Sequence, residues 1–260
     1  MASIYFKNSN RTSGIFHPTK EPSRTVIPET PNVFELVQDY KGREAIAEGE
    51  DFEATPENIE NRVNRETLSK GIKVALVSKE TRGNSVTGTL HFYMGSLATL
   101  NNPVALTAAD MVPDLIMRGS DNYSFQEIKD KLDALKANVS MSAGEHGSSL
   151  AIRFQTDHDH LVELIAFIGE TLSNPTFPED EFTVLKQQQL TSMQGMLSDP
   201  QQLLFRRLRQ RLNPFDEDSI HHVPDLSVLI KRMEALTLED VQSFYKKQYG
   251  AGHARFSIVG

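Results

Sequence analysis

The chain has 260 residues, no cysteine, and a net charge of −8 from 27 Lys and Arg against 35 Asp and Glu. Without thiols there is no disulfide framework, thiolate metal site or cysteine nucleophile, but the compartment stays open, because a periplasmic chain can lack cysteine as readily as a cytoplasmic one. The acidic balance argues against a nucleic-acid partner, whose phosphates need clustered Lys and Arg, and no apolar run reaches the ~18 residues of a membrane span.

The N-terminal quarter differs from the rest. Met1-Ala2-Ser3-Ile4-Tyr5 lacks the charged-then-apolar order of a signal peptide and reads as an internal cut in a longer polypeptide. Strand-like runs around Asn8-Ser9-Asn10 predict that residues 1–17 are the closing hairpin of a preceding, truncated domain. Residues 18–63 are expected to be an inter-domain strap. Pro18, Pro22, Pro28 and Pro31 break up helix and central strand, with one short helix after Pro31, and Gly42 to Pro56 is acidic and polar.

Residues 64–260 carry the pattern of one α+β domain. A hairpin is predicted from Val63–Leu68 and Ile72–Val77 around Ser69-Lys70-Gly71. Ser85–Met94 alternates, with Val86, Leu90 and Phe92 on one face. Pro103 opens a helix that runs towards Gly119, and Ser124-Phe125-Gln126-Glu127 is a capping box for a helix to about Leu135. Strands Asn138–Ala143 and Ser148–Gln155 flank the Gly144–Gly147 turn. Helices then follow over Asp157–Leu172, Pro178–Leu197, Pro200–Leu212, Leu226–Glu234 and Leu238–Tyr249, before a last strand Ala254–Val259. Runs of strands followed by runs of helices predict a mostly antiparallel sheet with helices packed on one face.

Several short motifs occur in a telling order. Leu68-Ser69-Lys70-Gly71-Ile72-Lys73-Val74 opens the domain, and Gly95-Ser96-Leu97 precedes the Pro103 helix. That helix ends in Met117-Arg118-Gly119-Ser120, and Asn174-Pro175-Thr176-Phe177, followed by Phe182, leads into a later helix. In this order and spacing the chain resembles a half-unit of the pitrilysin/insulinase zinc peptidases, of the kind also seen in mitochondrial processing peptidase. The resemblance covers nearly the whole chain, and Tyr5–Phe16 resembles the closing strand of a preceding half.

The resemblance implies where a zinc site should lie. The family's His-x-x-Glu-His motif falls on Asp110, Pro113 and Asp114. Its distal glutamate falls on Ser192, and an earlier acid falls on Leu185. Two histidines one turn apart would share a metal, and the glutamate would take a proton from its bound water. Asp110 and Asp114 share a helix face but form a poor zinc pair, and Pro113 transfers no proton and removes a helical hydrogen bond at a cost of up to ~3 kcal/mol. From Thr183 to Leu197 there is no acid, so a slip of register restores no distal ligand. The expectation is therefore no catalytic residue, no metal and no cofactor in this chain.

Other candidates are weaker. His158 and His160, two apart on the predicted helix, point in opposed directions, and His221-His222 lacks further ligands. Glu145 and His146 fit a hairpin turn better than an acid–base pair, and the basic run Arg206–Arg211 fits a solvated helix face. The resemblance implies the inactive second-half domain of a two-half bacterial peptidase. An active half, on the same polypeptide or in a partner subunit, would hold zinc, and the two halves would enclose a peptide substrate. The alternative is a non-enzymatic scaffold of the same fold, and an independent hydrolase built on His146 or His221 is a third reading.

Overall fold

The computed structural model describes residues 14–15, 48–94, 97–144, 147–250 and 253–260, without the side chains of Lys70, Leu97 and Ala98. Most of the predicted hairpin over 1–17 and the first part of the strap lie outside the described residues. The chain divides into two units, 1–45 and 46–260, and the account below concerns the second.

The last residues of the segment expected to be a strap hold a helix that its polar composition does not announce. Helix α1, Pro56–Arg62, is capped by Thr55, whose hydroxyl accepts from the Asn58 N–H at 3.2 Å. Upstream, the Glu50 N–H donates to the Glu80 carbonyl at 2.9 Å, and the Glu50 carboxylate bonds both Arg62 and the Glu80 N–H. The Arg62 guanidinium beside it, and the Glu80 N–H, hold this carboxyl below its usual range.

Six strands make one sheet in the order β1-β2-β6-β3-β5-β4. They are β1 (Val63–Thr67), β2 (Lys73–Val77), β3 (Ser85–Tyr93), β4 (Asn138–Ala143), β5 (Ser149–Asp157) and β6 (Ala254–Val259). All neighbours are antiparallel except β2 and β6, which run parallel with Ala75 opposite Ser257. The last strand of the chain thus inserts between the first hairpin and β3. Period-two alternation sends Leu150, Ile152 and Phe154 of β5 inward while Arg153 and Gln155 face solvent. Gly88 on β3 leaves room for the Phe154 ring, which would lie 2.1 Å from any Cβ built there.

The helices are α2 (Leu97–Leu100), α3 (Pro103–Ile116), α4 (Phe125–Ala134), α5 (Leu161–Ser173), α6 (Glu179–Met196), α7 (Pro200–Leu212), α8 (Leu226–Ala235) and α9 (Leu238–Gln248). Capping chemistry sets several starts. Asn102 caps α3, Asp199 caps α7, and Ser124/Glu127 and Thr237/Asp240 form capping boxes for α4 and α9. The architecture is α+β, as the sequence predicts. One start is corrected: no helix begins at Asp157. There β5 continues to Asp157, the His158 N–H donates to the Asn84 carbonyl at 3.0 Å, and α5 starts only at Leu161. His158 and His160 therefore lie in a turn and not on one helix.

Helix α3 is the centre of the packing. It lies against α9, α6, α8 and β4, and Ala108, Met111, Val112, Leu115 and Ile116 are fully enclosed. Burying each such Leu, Ile, Val or Met side chain stabilises the fold by about 1.5–3 kcal/mol.

Candidate functional site

The residues at the expected metal positions stand on two packed helices, α3 and α6. Helix α3 begins where the Asn102 side chain accepts from the Val104 N–H at 2.9 Å and Pro103 fills the first turn. It continues through Pro113 to Ile116 without a break. The proline removes one backbone donor, and packing on both sides of it holds the helix regardless. Asp110 and Asp114 are exposed, whereas Pro113 between them is buried.

Across from Asp114 the residue that α6 presents is Gln189, whose Nε2 donates to Asp114 Oδ2 at 3.3 Å. Ser192 is exposed nearly one turn further on, and Leu185, one turn earlier, is 6% exposed and belongs to the core. Leu185, Gln189 and Ser192 are spaced by four and three residues and so share one face of α6. That face carries an apolar group, an amide and a hydroxyl. Sequence reasoning singled out Leu185 and Ser192 on this helix but not Gln189, whose contact with Asp114 depends on how the two helices dock. An aspartate accepting from an amide fits an ordinary polar contact between helices.

The motifs around these positions have structural work. Gly119 pairs with Ser124 and Ser120 with Pro175 as isolated bridges, so the end of α3 is clipped to the segment that enters α6. The Arg118 guanidinium reaches Glu181 at 2.7 Å and lies 4.3 Å over the Phe125 ring. Phe177 adopts a positive φ of 48° and is buried against Tyr245, ring centroids 5.2 Å apart. On the other side of α3, Gly147 sits against Ala109, whose Cβ would be 2.3 Å from a Cβ at that glycine.

Among the described residues no three His, Asp or Glu side chains come together as a metal ion requires. Asp157 accepts from His160 Nδ1 and N–H and from Lys136 Nζ, so His160 is engaged in a turn. His222 Nδ1 lies 3.2 Å from the Phe215 carbonyl oxygen, and the His221 ring packs 5.0 Å from Phe215. Glu145 and His146 lie outside the described residues. No helix among them is long and apolar enough to cross a membrane.

A hollow of about 600 Å³ opens elsewhere, between the sheet and helices α5 and α9, lined by Leu90, Phe92, Ile168, Leu172, Tyr245 and Phe256 among others. The Tyr245 hydroxyl donates to the Leu172 carbonyl, and burial pushes its pKa up to about 12. Neither Asp110, Asp114 nor Ser192 borders this hollow.

No family profile matches the chain, and no curated protein does. Solved structures do. A peptidase M16 inactive domain from Pseudomonas fluorescens superposes with a TM-score of 0.62 at 22% identity, over 76% of this chain and 46% of that one. A protease from Helicobacter pylori gives 0.62 at 17% identity, over 76% and 46%. The periplasmic protease PqqL from Escherichia coli gives 0.60 at 12% identity, over 96% of this chain and 24% of that one. The chain thus spans less than half the length of these solved chains. Such identities speak for architecture, and in architecture the chain is a half-unit of the kind found in peptidase M16 inactive domains.

Proposed function

We propose that this chain is the non-catalytic half of a pitrilysin-type zinc peptidase, a wall of the chamber in which an active half outside this chain cuts flexible peptides. The observation that carries the reading is the state of α3 and α6. The positions that would hold ligands and a general base carry Asp110, Pro113 and Asp114, with Pro113 buried, and α6 faces them with Leu185, Gln189 and Ser192. Zinc belongs to the active half in this reading, and peptide is the shared substrate. The likeness to a peptidase M16 inactive domain supports it, because the same architecture occurs there in a form named inactive.

The test is a pair of assays with zinc and an unstructured fluorogenic peptide. The chain alone shows no turnover. The catalytic half, taken from the same polypeptide or a partner subunit, cleaves faster when this chain is present. Chelator-sensitive turnover by the chain alone overturns the proposal. A catalytic half whose rate ignores this chain overturns it too and returns the chain to the scaffold reading.

A further inference from the structure

Helix α7 is built inside out. Its side towards the protein carries Leu203, Arg206 and Gln210. The Arg206 guanidinium donates to the Pro224 carbonyl, and Gln210 Nε2 donates to Asp225 Oδ1 at 2.9 Å and to the Val223 carbonyl at 3.3 Å. The side towards solvent carries Leu204, Phe205, Leu208 and Leu212, which are 66%, 51%, 49% and 73% exposed. An ordinary surface helix has the opposite arrangement, with its apolar stripe against the core.

At 100° per residue those four side chains fall in an arc of about 100°. Arg211 borders the arc on one side and Arg209 on the other. The helix contains no acid. Arg207 pairs with Asp225 at 3.2 Å, whereas Arg209 and Arg211 make no ion pair among the described residues. Met196, Leu197 and Phe215 flank the helix in sequence and are exposed as well, Leu197 and Phe215 beside Arg207 and Gln210 and not on the arc.

We infer that this stripe binds a polypeptide segment that carries carboxylates beside bulky apolar side chains. The apolar arc supplies the contact area, and the flanking guanidiniums select the charge. The chain's own charge of −8 is no source of positive potential, so the cationic rim of α7 is a local feature of the stripe. A second copy of the chain is a poor occupant, because a two-fold pairing of α7 with itself sets Arg209 against the Arg209 of the copy. The inference rests on the chamber-wall reading and narrows its substrate to acidic, apolar-rich peptides.

The chain has no tryptophan, so Phe205→Trp places a single fluorescent reporter in the stripe. The probe is a short unstructured peptide of Glu, Leu and Phe, compared with its Lys-for-Glu counterpart. The expected result is a saturable blue shift with the acidic peptide, at least about tenfold tighter than with the basic one. Adding Arg209→Glu and Arg211→Glu inverts that preference. Leu208→Asp, at a solvent-facing position, abolishes the shift while the far-ultraviolet spectrum is kept. Equal affinity for the two peptides, no shift, or a shift seen only with phosphatidylglycerol vesicles or rising chain concentration each overturns the inference. If binding fails here while the paired peptidase assay succeeds, the α7 site alone is lost.

Discussion

The backbone N–H of Thr176 donates to the carbonyl of Gly119 at 3.1 Å, which ties the end of α3 to the entry of α6 across more than fifty residues of chain. The approach is close. A Cβ at position 119 would lie 2.7 Å from both the Pro178 ring and the Thr176 hydroxyl. Gly119→Ala is therefore expected to destabilise the fold by about 1–3 kcal/mol. Gly195→Ala on α6 meets nothing within 4 Å and is expected to stabilise it by about 0.5–1 kcal/mol. Urea denaturation of both variants checks the contrast, and equal midpoints would remove the steric argument.

Gly147 combines two constraints that can be separated. Its φ of +71° disfavours any side chain, and Ala109 on α3 occupies the place of its Cβ. Gly147→Ala should cost about 2–4 kcal/mol, from strain of about 1 and overpacking of about 1–3. In a double-mutant cycle Ala109→Gly recovers the steric part and leaves the backbone part. A coupling energy near zero would show that the two residues do not press on each other.

Asp157 makes the stability depend on pH in a defined direction. Burial opposes its charge, but the hydrogen bonds from His160 and Lys136 outweigh burial and hold its carboxyl below the ordinary value of 3.8. A depressed folded-state value means that the unfolded chain binds the proton first as the pH falls. Its contribution is complete above the ordinary carboxylate range and is lost as the pH drops through the depressed value. Asp157→Asn should lower stability at pH 6 and shrink the loss between pH 6 and pH 3. Denaturant midpoints at the two values measure this, and identical pH slopes for the two proteins would contradict it.

Where local chemistry decides an element, the sequence announces it. Asn102-Pro103, Ser124/Glu127, Asp199-Pro200 and Thr237/Asp240 each put a cap beside a helix, and the helices begin there. The same logic misplaces α5, because Asp157 looks like a cap. Its carboxylate does accept from the His160 N–H, at 3.1 Å, but the bond closes a turn and the helix waits for Leu161. Helix α1 hides for the opposite reason. Thr55 and Pro56 are good start signals, but Ile59 is the one aliphatic residue in the helix, so no periodicity calls attention to it. The parallel pairing of β2 with β6 joins strands nearly two hundred residues apart, and no local pattern encodes it.

The candidate site divides in the same way. The identities at Asp110, Pro113, Asp114 and Ser192 are visible in the sequence, and so is the missing acid on α6. That Gln189 is the residue meeting Asp114 depends on how the two helices dock, which the sequence does not state.

Pro113 has one more consequence. Its ring is enclosed and Leu185 is part of the core, so both positions serve the packing of α3 and α6. A glutamate at 113 would bring a carboxylate into an enclosed place, and an acid at 185 would do the same, each costing several kcal/mol unless paired. An acid introduced at either position would thus lower the stability before it could do any chemistry. The seam between α3 and α6 acts as a filter on charge, open to side chains that need no solvent and closed to those that do.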